Sequence, residues 1–284
     1  VSGRLVVVGT PIGNLGDLTP RAVEALAGAD VIACEDTRVT RKLLTHAGIT
    51  GKRLLAVHQH NEAAMASRIV ELVGNGATVA VVSDAGLPGI SDPGERVVRA
   101  AADAGITVEV VPGPSAPLAA LVVSGLATDR FCFEGFLPRK GGERGARLAS
   151  IAAEDRTVVL FESPRRVRAT IAELTSACGP DRPVAVAREL TKLHEQVWRG
   201  SLGQAMAWLD EVEPRGEYVL VVGGKPAAPD VVPSDTEVEA ALAGRLAAGD
   251  DRKAAVAEVA SALGVPKREV YDLAVRLRRS AESG

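Results

Sequence analysis

The chain is 284 residues long, with 46% hydrophobic residues, 24% charged residues and a formal net charge of −3. That length supports about two domains, and the balance is ordinary for a globular protein. The charge excludes a surface coated in positive groups but not a local basic patch, which is all that RNA contact needs. Aromatic residues make up only 3%, so the core must be aliphatic, which favours small α/β units over an aromatic-rich sandwich. No apolar run approaches the ~20 residues of a membrane helix. Residues 1–9 begin on a strand-like run with no basic segment ahead of a long apolar one, so no secretory signal is expected. Cys34, Cys132 and Cys178 lack C-x-x-C spacing and read as inert thiols of a reducing, cytoplasmic setting.

Leu5–Val8 is a continuous apolar run, the pattern of a strand buried on both faces. Thr19 caps a helix that has Pro20 at its first position and Gly28 just beyond its end. Val31–Cys34 is the next strand, followed by a helix through Leu43 and Leu44 to Gly48. Asn61 caps a helix carrying Ile69, Val70 and Val73, and Gly74 closes it. Val79–Val82 is a third buried strand. Asp92-Pro93 opens a helix with Val97, Val98 and Ala101 on one face, and Ile106–Val111 follows as a fourth strand. This alternation predicts a mainly parallel sheet covered by helices.

Beyond Pro112-Gly113-Pro114 the rhythm changes. A helix through Leu118 and Val122 precedes candidate strands at Phe131–Glu134, Thr157–Phe161, Val184–Ala187, Gln196–Trp198 and Tyr218–Val222, with helices around 144–152, 165–177 and 202–210. The expected organisation is an N-terminal α/β domain over 1–113, a second α/β domain with a mixed sheet over 114–224, a proline-rich linker over 225–234, and a helical accessory module over 235–284. The last helix of that module carries Arg276, Arg278 and Arg279.

Three loops follow three strand ends: Gly9 to Asp17, Ser83 to Gly94, and Pro112 to Ala116. In open α/β sheets such loops form one ligand crevice. None of them is a G-x-G-x-x-G or P-loop cradle for a diphosphate. Asp84 and Asp92 suit a cationic or amino-bearing ligand, although Asp92 can equally be a helix cap. Basic residues cluster at Arg38-x-x-Arg41-Lys42, at Arg139, Lys140, Arg144 and Arg147, at Arg165, Arg166 and Arg168, and at Arg188 with Lys192. The 139–147 group lies in a glycine-rich loop suited to phosphate contact. His58-Gln59-His60 has no further ligand at metal spacing, so no metal site is expected.

These motifs, in order from Gly-Thr-Pro-Ile-Gly-Asn-Leu at 9–15 through Cys-Glu-Asp-Thr-Arg, His-Gln-His-Asn-Glu, Ser-Asp-Ala-Gly-Leu-Pro-Gly-Ile-Ser-Asp-Pro-Gly, Pro-Gly-Pro-Ser-Ala and Glu-Gly-Phe-Leu-Pro-Arg-Lys to Ala-Arg-Glu-Leu-Thr-Lys-Leu-His-Glu at 187–195, resemble the bacterial 16S ribosomal RNA (cytidine-2′-O)-methyltransferases of the tetrapyrrole methylase superfamily. The likeness runs from about Arg4 to Gly224. It implies a two-domain α/β fold with S-adenosylmethionine between the domains, a homodimer, and methylation of a cytidine ribose in 16S RNA, within the small ribosomal subunit. It implies cofactor roles for Thr10, Pro11, Gly13, Asp84, Ala85, Gly86, Pro88, Ser115 and Ala116, with further contacts at Phe161, Leu190 and Tyr218. Leu87 departs from the family, which more often has Thr there. Arg38, Arg139, Lys140, Arg144, Arg147 and Arg165 are the candidate RNA contacts. Asp36, His58, Glu62 and, given a depressed pKa, Lys192 are the candidates for proton transfer or ribose positioning. A tetrapyrrole C-methyltransferase on the same fold and a non-catalytic RNA-binding protein are the alternatives.

Overall fold

The computed structural model describes residues 3–226 and 233–282, with side chains of the last helix as far as Arg276. Residues 227–232 of the expected linker and the side chains of Arg278 and Arg279 lie outside the described residues. The chain forms two compact units, Val1–Lys225 and Pro226–Gly284.

In the first unit, strands β1 (Arg4–Val8), β2 (Val31–Cys34), β3 (Arg53–Ala56), β4 (Thr78–Val82) and β5 (Val108–Val111) alternate with helices α1 (Pro20–Gly28), α2 (Thr37–His46), α3 (Glu62–Gly74) and α4 (Glu95–Asp103). The sheet order is β3-β2-β4-β1-β5, and every pairing is parallel. Strand alternation sorts the side chains onto two faces. Val6, Val8, Ile32, Cys34, Ala80 and Val82 pack on Leu26 of α1 and Leu43 and Leu44 of α2. Leu5, Val31, Ala33, Val79 and Val81 pack on Ile69 and Val73 of α3 and Val97 of α4.

A second sheet follows, led in by α5 (Ala116–Ser124). Its strands are β6 (Phe131–Phe136), β7 (Thr157–Glu162), β8 (Pro183–Arg188), β9 (Gln196–Ser201) and β10 (Tyr218–Val222), with α6 (Gly142–Ala153), α7 (Val167–Cys178) and α8 (Leu202–Glu211) between them. Its order is β6-β7-β10-β8-β9, with β6–β7 parallel and the other pairs antiparallel. Leu160, Val186, Leu220 and Val222 face α6, α7 and α8. Val159, Ala185, Val219 and Val221 face Ala120 and Leu121 of α5 and, from the first loop, Ile12. This is the α/β architecture of a parallel sheet followed by a mixed one.

The second unit holds α9 (Asp235–Ala247), α10 (Arg252–Leu263) and α11 (Lys267–Glu282). Ser234 and Glu237 form a reciprocal capping box at the start of α9. Val238, Leu242, Val259, Val270 and Leu273 build this unit's own core.

Four local expectations change. The edge strand β3 is an addition to the expected strands: residues 54–57 are apolar, and among the described residues β3 pairs with β2 alone, with Arg53 and Ala56 exposed and Leu54 and Leu55 half-buried. Helix α4 begins at Glu95 after Gly94, whose φ is 141°, so Asp92 is not its cap. Asn61 does not cap α3 through its side chain; its Oδ1 accepts the His58 amide at 2.8 Å. Strand β6 runs past Glu134 to Phe136 through a bulge between Phe133 and Gly135.

Candidate active site

The loops leaving β1, β4 and β5 meet because those strands are neighbours in the sheet. The first and second are stitched together: the Thr10 amide donates to the Gly86 carbonyl at 2.9 Å and the Gly86 amide returns a bond at 3.2 Å. The buried Thr10 hydroxyl adds bonds to the carbonyls of Ser83 and Gly86. The first and third cross at Gly9 and Gly113, where a Cβ on Gly9 would lie 2.7 Å from the Gly113 nitrogen. The Asn14 amide reaches the Thr191 hydroxyl at 3.2 Å and so ties the first loop to the turn after β8.

Between the two sheets these loops leave a cavity of about 290 Å³. Ile12, Leu87, Ile90, Phe136, Phe161 and Val219 give it apolar walls, and Asp92, Glu162 and Glu217 bring acid to it. Of the expected cofactor residues, Ala85, Gly86, Ser115, Ala116, Phe161 and Tyr218 line the cavity. Thr10, Pro11, Gly13, Asp84, Pro88 and Leu190 do not line it. Gly13 is small for the sake of the protein itself, since a Cβ there would meet the Lys192 side chain at 2.5 Å. Gly86 has φ 80°, a conformation that side chains resist. The Asp84 carboxylate accepts the Asp36 amide at 3.0 Å, which braces the loop after β2 against the loop after β4.

Asp92, expected to meet a cationic ligand or to cap a helix, lines the cavity, and so does Glu217, which no motif marks. Burial, followed by the charges of Glu35, Asp84 and Glu217, pushes the Asp92 carboxyl up to about 7. Burial and then Asp84 raise Glu35 in the same way. Sequence spacing gave no sign of this, because the four acids come from three separate loops.

The candidate proton-transfer residues have other employment. Glu62 is buried and accepts the amides of Gly94 at 2.8 Å and Arg96 at 3.0 Å, so it clamps the entry to α4. Asp36 caps α2 through the Arg38 amide and pairs with the Arg38 guanidinium at 2.5 Å. That guanidinium holds the Asp36 carboxyl down at about 2, too low to make it a useful base. Lys192 bonds Glu189 at 2.8 Å and Glu217 at 2.9 Å. Burial alone would lower its pKa, but the two carboxylates outweigh burial and hold it above the ordinary lysine value. The condition for Lys192 acting as a base is therefore not met. His58 is exposed and stands outside the cavity lining.

The basic cluster divides. Arg144 is buried and donates to the Pro138 carbonyl, to Thr170 Oγ1 and to Glu173. It fixes the end of β6 on α7 and is not free for phosphate. Arg147 pairs with Glu134 at 2.9 Å and is half exposed. Arg139, Lys140 and Arg165 are exposed and make no hydrogen bond or ion pair with the described residues. Arg139 and Lys140 follow closely on the lining residue Phe136, and Arg165 adjoins the lining residue Pro164.

Residues 4–206 match the family described as Tetrapyrrole (Corrin/Porphyrin) Methylases. The chain is 47% identical to "Ribosomal RNA small subunit methyltransferase I" of Synechocystis sp., covering 97% of this chain and 98% of that one. It is 48% identical to the protein of the same name from Mycobacterium tuberculosis (strain CDC 1551 / Oshkosh), covering 98% and 96%. Among solved structures, the methyltransferase CobJ superposes with a TM-score of 0.59 at 25% identity, covering 80% of this chain and 98% of that one. Uroporphyrin-III-C-methyltransferase from Thermus thermophilus shares the fold with a TM-score of 0.54 at 24% identity, covering 78% and 94%. The chain belongs to the tetrapyrrole methylase family.

Proposed function

We propose that this chain transfers a methyl group from S-adenosylmethionine to the 2′-hydroxyl of a cytidine ribose in small-subunit (16S) ribosomal RNA. The observation that carries the reading is a cavity with apolar walls and an acidic edge, close in sequence to the exposed basic side chains of Arg139, Lys140 and Arg165, which pair with none of the described residues. The relatives covering nearly the whole chain bear a ribosomal RNA methyltransferase's name, which favours RNA over a tetrapyrrole as acceptor.

The residues present fit the methyl donor. Aliphatic and phenyl walls suit a purine ring. The Glu217 carboxylate at the cavity edge suits a cation. Ser115 stands at the N-cap of α5 with no side-chain hydrogen bond to that helix, and a helix N-terminus suits a carboxylate. Bound there, S-adenosylmethionine supplies a methyl group activated on a sulfonium. The protein's part is alignment of the acceptor oxygen, which supplies much of the rate of an in-line displacement. Arg139, Lys140 and Arg165 hold RNA phosphates, joined by Arg38 and Arg147 where their own carboxylate partners leave them exposed. The chain works as a homodimer in the cytoplasm, on RNA within the small ribosomal subunit. The pairing is supported by Leu118 and Val122, four residues apart on α5 and both exposed, an apolar stripe that a second copy would cover.

Calorimetric titration with S-adenosylmethionine tests the crevice. Gly86→Val strains a backbone at φ 80° and should weaken binding at least about tenfold in a folded protein. Methyl transfer to intact small subunits, set against transfer to free RNA, then tests the acceptor. Unchanged affinity in the variant would remove the crevice assignment, and transfer to neither RNA substrate would remove the acceptor.

A further inference from the structure

Four side chains that line the cavity can titrate: Asp92, Glu162, Glu217 and Tyr218. Three are already engaged or held neutral. Glu162 is buried and accepts the Ser163 amide at 2.8 Å and the Thr170 hydroxyl at 2.6 Å, with Arg166 at 3.4 Å. Glu217 is paired with Lys192. Burial keeps the Tyr218 phenol above its ordinary value, hence protonated. Asp92 makes no hydrogen bond or ion pair with the described residues, and it is half-buried in the cavity wall.

Its loop is held rigidly. Glu62 grips the Gly94 and Arg96 amides. The Gly89 amide donates to the Pro93 carbonyl at 3.2 Å. Gly94 lies so close to the start of the loop that a Cβ there would stand 2.9 Å from the Gly89 nitrogen. A carboxylate carried on a braced backbone, with no partner at its tip among the described residues, is placed to meet something that arrives.

We propose that the Asp92 carboxylate accepts the proton of the ribose 2′-hydroxyl during methyl transfer, an assignment that rests on the function proposed above. The bonds balance. The ribose O–H breaks and its proton passes to an Asp92 oxygen. The freed pair on the ribose oxygen forms the new O–C bond. The old S–C bond breaks, and its pair stays on sulfur as a neutral thioether. Asp92 later returns its proton to water. Glu35 on the loop after β2, Asp84 on Asp92's own loop and Glu217 ahead of β10 face this carboxyl with like charge. The cations near them are Arg38, paired to Asp36, Lys192, paired to Glu217, and His58 when protonated, close to Glu35. The balance leaves Asp92 near 7, where a base combines ionisation with driving force.

The test uses the full chain, S-adenosylmethionine and small ribosomal subunits, with Asp92→Asn and Asp92→Glu. Single-turnover transfer at saturating substrates should fall about 10²–10⁴-fold in Asp92→Asn, with S-adenosylmethionine affinity within about tenfold of wild type, and Asp92→Glu should lie between the two. A second readout needs no turnover: carbon-13 NMR of labelled aspartate carboxyls, with the Asp92 signal assigned by its loss in Asp92→Asn, should show it titrating near 7. A wild-type rate in Asp92→Asn, or an Asp92 signal titrating in the ordinary carboxylate range, overturns the assignment while leaving the methyltransferase reading intact. A wild-type protein that binds S-adenosylmethionine but methylates no RNA overturns both.

Discussion

Glu62 and Asp92 are acidic side chains in the same half of the molecule, and their surroundings divide their work. Glu62 is buried with two backbone amides pointing at it, which makes its charge part of the scaffold. Asp92 is half-buried among like charges with no amide among the described residues to offset them, which makes its charge costly to hold. The cost should be visible in stability. The folded-state pKa is raised above the unfolded value, so between about 4 and about 7 the native state binds more protons than the unfolded one. The contribution of Asp92 to stability is therefore fully present below the unfolded pKa and is lost as pH rises through 7. Asp92→Asn should match wild type near pH 4 and melt roughly 2–4 °C higher at pH 8. A thermal melt series across that range checks it, and an equal offset at both ends would contradict the burial account.

At the scale of elements, the buried strands were legible because their side chains face helices on both sides: Leu5–Val8 and Val79–Val82 read as continuous apolar runs and are buried throughout. The edge strand β3 was missed although residues 54–57 are the apolar run Leu-Leu-Ala-Val; its sheet position shows only in the structure, where it pairs with β2 and its own side chains are half-buried or exposed. The cavity loops could be found from their glycines and prolines. Which side chains point into the cavity could not, because Ile12, Phe136 and Glu217 reach it from three distant parts of the chain. The basic loop shows the same limit. Arg139, Lys140, Arg144 and Arg147 look alike in sequence, yet Arg144 turns inward to Glu173 and Thr170 on α7. Arg139→Ala with Lys140→Ala should lower RNA affinity and flatten its salt dependence, with S-adenosylmethionine affinity unchanged. Arg144→Ala should instead cost about 1–3 kcal/mol of stability, read by denaturant titration. An unaltered salt slope in the double variant would make that loop a merely hydrated one.

For the whole molecule, the first compact unit ends at Lys225, and every residue lining the cavity belongs to it. The helical unit has a core of its own. A chain truncated after Pro226 should therefore fold and bind S-adenosylmethionine with wild-type affinity, as measured by calorimetry; loss of binding would mean that the helical unit completes the site. The central claim concerns the acceptor atom, and one measurement reaches it most directly. Small ribosomal subunits are methylated with isotope-labelled S-adenosylmethionine, the RNA is digested to nucleosides, and the labelled product is identified by mass. The account predicts 2′-O-methylcytidine, in which the ribose hydroxyl has taken the methyl. A base-methylated nucleoside, or label appearing only in a tetrapyrrole offered in parallel, would contradict it.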